Sequence, residues 1–136
     1  MRTMPLVAAA LAVSTVGVVG VTALAAASDR WWRPELDPVV AAPANHKVLI
    51  ENDDVRVLEV TVPPHTREPL HVHRWPAVIV VETSPHLVEH LQDGGTRDLG
   101  PRPRGAIWLP VAQGHGIENV DDIPLRAIRV ELKRGR

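Results

Sequence analysis

Gly105-Ala106-Ile107-Trp108-Leu109-Pro110-Val111-Ala112-Gln113-Gly114-His115-Gly116-Ile117-Glu118-Asn119 is the stretch whose reading decides the fold. It reads as two short strands, Gly105–Leu109 and His115–Val120, joined by a turn from Pro110 to Gly114. The same alternation of short apolar runs and turn residues continues on both sides. Upstream, Asp93-Gly94-Gly95 is a tight turn joining His86–Leu91 to Thr96–Leu99, a hairpin signal. Ala77–Glu82 is a continuous apolar run, expected to be a buried strand. Leu70–His73 is a short extended piece. Further out, Asn52-Asp53-Asp54 separates Lys47–Glu51 from Val55–Val62, and Pro63-Pro64 ends the second run because proline cannot donate to a central ladder. Downstream, Leu125–Leu132 closes the set after a turn over Asp121 to Pro124. Short strands at near-even spacing, without internal repeat or heptad, predict an all-β antiparallel sandwich or barrel.

Composition agrees. A chain of 136 residues suits one domain. With 15 Lys+Arg against 16 Asp+Glu there is no basic field to hold nucleic acid. Cysteine is absent, which excludes disulfides, zinc ribbons, thiol nucleophiles and a lipidated cysteine anchor. Phe and Tyr are absent as well, so the core must be built from Val, Leu and Ile. The 13 Pro and 9 Gly favour many turns over long helices.

The first 27 residues read differently. Arg2 gives a positive start, residues 5–27 carry no charge, and Ala25 and Ala27 form the small-residue pair that precedes a cleavage point. The stretch 1–27 is therefore expected to be a signal peptide. The alternative is an uncleaved hydrophobic helix anchoring the protein in the membrane, since about 20 apolar residues suffice to span it and Trp31 and Trp32 follow where interfacial aromatics sit. Either reading exports the globular part, to the periplasm or beyond. Residues 28–45, with Pro34, Pro38 and Pro43 and no periodicity, read as a Pro-rich linker. Residues 46–136 form the barrel domain.

His71-Val72-His73 lies on a predicted strand and so places two imidazoles on one face, with Cα atoms about 7 Å apart. That spacing suits two ligands of one metal ion, but such a pair is also common as surface or hydrogen-bonded core residues. A third ligand must come from a neighbouring strand, and His115, at the head of its strand, is the candidate. Asn119 shares a face with His115 and Ile117. His46, His65, His86 and His90 read as ordinary histidines, with no partner evident. Trp75 and Trp108 are candidate pocket walls able to stack on a planar ligand, or else plain core or rim packing. Trp108 alternates with Ile107 and Leu109, so only one of these sets faces inward.

The stretch Pro69-Leu70-His71-Val72-His73-Arg74-Trp75-Pro76 resembles the first motif of the cupin superfamily, and residues 105–119 resemble the second. The most specific feature is Pro110, His five residues later, and Asn four beyond that. The resemblance spans about residues 45–133. It implies a small jelly-roll barrel, metal ligation by His71, His73 and His115, a small-molecule ligand, and pairing of edge strands into a homodimer. The chain departs from the pattern in three places. His65 stands at the motif's opening Gly, Ala112 replaces a Gly in the second motif, and Arg74-Trp75-Pro76-Ala77-Val78 lacks the Glu that serves as a fourth ligand. Glu118 alternates away from His115, and Glu68 reaches the site only by a rearrangement of its loop.

Two functions stay open. Three neutral imidazoles can hold Fe, Ni or Zn as a divalent ion, and some cupins, thiol dioxygenases among them, work with three His and no Glu. That would make the chain a metal-dependent enzyme such as a dioxygenase or isomerase. Alternatively it is a metal-free ligand-binding or structural module without catalysis. The sequence identifies no second catalytic group, no substrate and no reaction.

Overall fold

The computed structural model describes residues 32–134. The leader expected over 1–27 and the first residues of the expected linker lie outside them. The described chain is mostly antiparallel β-structure. Its strands are β1 (His46–Glu51), β2 (Val55–Val62), β3 (Ala77–Thr83), β4 (His86–Leu91), β5 (Thr96–Pro101), β6 (Gly105–Leu109), β7 (His115–Asn119) and β8 (Leu125–Leu132). They form a five-stranded sheet in the order β1-β2-β8-β3-β6 and a three-stranded sheet in the order β5-β4-β7.

Alternation explains which face each strand buries. In β2, Arg56, Leu58, Val60 and Val62 are buried while Glu59 is exposed. In β8, Leu125, Ala127, Arg129 and Glu131 are buried. The register sets Arg56 opposite Glu131, Leu58 opposite Arg129 and Val62 opposite Leu125. One aliphatic core cluster joins Val62, Val81, Leu87 and Leu125, and a second joins Leu58, Val60 and Ala127. The interior is therefore apolar at one end and charged at the other, where Arg56, Arg129 and Glu131 point inward.

Three local expectations change. β3 is not buried throughout: Ala77 and Val81 face the core, but Val80 is 39% exposed because no described residue covers the outer face of its sheet. The His71–His73 segment is extended but pairs only through one isolated bridge, His71 with His115.

The described part of the expected linker is also not a free tether. Pro34–Leu36 is a 3-10 turn and Pro38–Ala41 a single α-helical turn, α1. Asp37 caps α1 by accepting the Val39 N–H at 3.1 Å, with Pro38 at the first helical position. Tertiary bonds then fasten this strap. The Val72 N–H donates to the Leu36 carbonyl at 2.7 Å, and the Asn45 side-chain amide donates to the Thr61 carbonyl at 2.9 Å. Asp37 pairs with Arg56 at 3.0 Å. A four-residue helix is too short to show periodicity, which is why this segment read as a linker.

Candidate metal centre

The isolated bridge starts the site. The His71 N–H donates to the His115 carbonyl and the His115 N–H to the His71 carbonyl, both at 2.9 Å. This brings the two rings side by side, with centroids 4.9 Å apart. His73, two residues on, lies 4.9 Å from His71 and 5.8 Å from His115 by the same measure. The three sequence-selected histidines thus converge inside the barrel. His46, read as an ordinary histidine, joins them, with centroids 4.6 Å from His71 and 5.4 Å from His73. His46, His71 and His73 are buried, and each offers a ring nitrogen within 4.8 Å of the others. His46 heads β1 and is the only buried residue of that strand. No local motif marks it; the strap that turns the chain into β1 places it.

The outer nitrogens of these rings meet acceptors. Nδ1–H of His71 donates to the Pro69 carbonyl at 2.9 Å. Nδ1 of His73 meets a Glu131 carboxylate oxygen, and that of His115 a Glu89 carboxylate oxygen, both at 2.7 Å. Nδ1 of His46 faces the Ala42 carbonyl at 3.4 Å. A neutral imidazole with its proton on Nδ1 carries its lone pair on Nε2. The His71 Nε2 is buried and has no hydrogen-bond partner. Burial, reinforced by the neighbouring His46 and His115, lowers the His71 pKa to about 2. Burial likewise lowers His46 to about 4, and burial with the Arg129 charge holds His73 well below its ordinary value. These rings are neutral at physiological pH, the state in which imidazole ligates a metal.

Carboxylates frame the cluster. Glu131, fully buried, also accepts from Arg56 Nε at 2.6 Å and from Arg129 Nε at 3.2 Å. Its bond to His73 is the carboxylate–histidine pairing that typically orients a metal ligand. Glu68, expected to reach the site only by a loop rearrangement, is already buried in it. The Ile117 N–H donates to one of its oxygens at 3.2 Å, and the other lies 3.8 Å from His46 Nε2 without a hydrogen-bond partner. Burial raises Glu68 to about 8, against the pull of the Ile117 N–H and the Arg129 charge. Glu68 and His46 are thus neutral neighbours at pH 7 rather than an ion pair. None of Glu68, Glu89 and Glu131 stands in a local motif with the histidines they serve.

The cluster closes one end of a cavity of about 380 Å³ between the two sheets. Its body is aliphatic, with Ile79, Leu87, Leu99, Ile107 and Ile117 among its walls. The remaining candidates fall outside it. Trp108 is 57% exposed on the outer face, because Ile107 and Leu109 take the inward positions of β6. Trp75 is half-buried among cations, 5.0 Å from the Arg56 guanidinium and 5.3 Å from the Lys133 ammonium. Asn119 is fully buried but ties turns together: its amide donates to the Val62 and Ile123 carbonyls at 3.0 and 2.7 Å, and its oxygen accepts the Asp121 N–H. Glu118 pairs with His90 at 2.6 Å and does not line the cavity. His65 and His86 pair with Asp122 and Asp98. His65, standing where the motif has Gly, has φ of 54°, the left-handed conformation that favours glycine.

No protein-family profile and no curated protein match the sequence. Solved structures do. A cupin domain from Bordetella pertussis Tohama I superposes with a TM-score of 0.56 at 27% identity, over 65% of this chain and 91% of that one. This chain belongs to the cupin superfamily. A double-stranded β-helix protein from Klebsiella pneumoniae shares the fold at 20% identity and a TM-score of 0.51, over 77% of this cupin and 85% of that chain. An RmlC-like cupin from Methanocaldococcus jannaschii does so at 14% and 0.50, over 64% and 77%. The buried histidines of this cupin lie close enough together to hold a metal ion.

Proposed function

We propose that this cupin binds a divalent transition metal through His71, His73 and His115, with His46 as a fourth imidazole, and uses the site on a small molecule in the adjoining cavity. The supporting observation is the His71 Nε2 atom, buried and unpartnered beside the neutral His46 and His73 rings, whose Nδ1 atoms face acceptors. A buried polar atom without a partner is costly, and a metal ion would remove that cost. A donor set of imidazoles without a carboxylate favours Fe²⁺, Ni²⁺ or Zn²⁺ over Mn²⁺. A bound ion would act as a Lewis acid on a coordinated oxygen. The chain's own residues do the rest. Glu131, Glu89 and the Pro69 carbonyl hold Nδ1 protons and orient the rings, while Glu68 keeps a proton beside the cluster. Elemental analysis of untagged protein reconstituted with each ion tests this. About one equivalent is expected, lost on His71→Ala and kept on His65→Ala; content below about 0.1 per chain for every ion would refute it.

A metal-free binding module is the second reading, favoured by the missing carboxylate after His73. A ligand that raises the melting temperature equally with and without EDTA would select it. We also propose export, with cleavage after Ala27. N-terminal sequencing of the protein recovered from the extracytoplasmic fraction should begin at Ser28, and an intact Met1 in the cytoplasm would overturn export.

A further inference from the structure

The cavity is graded in polarity from floor to mouth. The floor holds His46, His71, His73 and Glu68 with Arg129, whose charge Glu131 compensates at 3.2 Å, and the walls are aliphatic. The mouth carries Arg97 and Arg102, together with the exposed Ala112 and Gln113. The Arg97 side chain is 62% exposed and lies 3.4 Å from Glu89. Glu89 is already bound to His115, so it compensates one guanidinium at most. Arg102 is half-buried and forms no ion pair among the described residues. The mouth therefore keeps one uncompensated positive charge facing an apolar chamber.

We infer that the cavity takes an apolar small molecule carrying a single carboxylate, bound at the mouth by Arg102 with Arg97 beside it, its hydrophobic body against Ile79, Leu99 and Ile107. A guanidinium fork matches a carboxylate in shape and charge, and burial of the body supplies the apolar contribution. One spare positive charge suits a monoanion better than a phosphate dianion. The reading rests on the cavity being the functional pocket named above, but not on the metal.

Titration calorimetry with sodium octanoate, octan-1-ol and octylamine tests it, on both metal-stripped and zinc-reconstituted protein. Octanoate should bind about tenfold tighter than either neutral or cationic analogue, the worth of one charge-assisted pair. Arg102→Gln, at a rim position outside the core, should remove that advantage while leaving octan-1-ol affinity within about twofold. Arg97→Gln should weaken octanoate less, since Glu89 already draws on that charge. Equal binding of octanoate and octan-1-ol, undiminished octanoate binding by Arg102→Gln, or no binding of any probe would each overturn the inference. The carboxylate preference in protein that takes up none of Fe²⁺, Ni²⁺ and Zn²⁺ would sink the metal reading alone. Zinc uptake without the preference would sink only this one.

Discussion

Glu131 serves a histidine and two arginines at once, and it is the residue on which the site's electrostatics turn. Its carboxylate takes bonds from Arg56, Arg129 and His73, and through Arg56 it reaches Asp37 in the strap. Glu131→Gln would leave buried guanidinium charge under-compensated and is expected to cost about 3 kcal/mol. Urea unfolding measures this, and a loss under about 1 kcal/mol would show that the network relaxes around the amide. Titration gives a second expectation, for the metal-free protein. His46, His71 and His73 have folded-state pKa values below the ordinary 6.5. The unfolded chain therefore takes up protons first, and the stability tied to neutral rings is complete above pH 6.5 and lost as pH falls toward 4. Glu68 is raised from 4.5 to about 8, so its contribution is complete below 4.5 and lost as pH rises through 8. Three groups outweigh one on the acid side, and Glu68 acts alone on the other. The urea midpoint should peak near pH 6.5 and fall toward both 5 and 8. A midpoint that climbs steadily from 5 to 8 would show that Glu68 is ionised in the folded protein.

At the scale of elements, the site depends on how closely the segment carrying Glu68 and His71 approaches β7. The Glu68 N–H donates to the Ile117 carbonyl at 2.9 Å, and a Cβ added at Gly116 would stand 2.6 Å from the Glu68 carbonyl oxygen. Backbone must give way at that distance. Gly116→Ala is expected to cost about 2 kcal/mol by overpacking and to weaken metal retention by displacing His71. A variant with parental stability and metal content would disprove this close approach. Strand positions were largely legible, because short apolar runs between Gly, Pro and Asn-Asp turns leave few other readings. Their inward faces were less so. In β8, Ile128, Val130 and Leu132 look like a buried stripe, yet Arg129 and Glu131 take the inward positions. The register with β2 and β3 decides this, setting Arg129 opposite Leu58 and Ile79.

Across the whole molecule, that inversion leaves an apolar face outside. Ile50, Val57, Val130, Val78 and Trp108 stand opposite one another in turn across all five strands of the larger sheet. Ile50 is 56% and Trp108 57% exposed. A continuous apolar sheet face of this kind marks an association surface, and we propose that a second copy covers it to give a homodimer. Light scattering should find a dimer, and Val80→Glu, on this outer face, should yield a folded monomer; a monomeric parent protein would end the proposal. Sequence alone determined the all-β class, the aliphatic core that follows from having no Phe or Tyr, and the pairing of His71 with His73, because these depend on composition or on neighbours two residues apart. The bridge partner His115 was legible through its motif spacing. Tertiary structure alone decided that His46 joins the cluster, that Glu68, Glu89 and Glu131 surround it, and that Trp75, Trp108 and Asn119 stand away from the cavity. The physical reason is separation along the chain: His73 and Glu131 lie 58 residues apart and Arg56 and Glu131 75, and only strand order and register bring such residues within a hydrogen bond of each other.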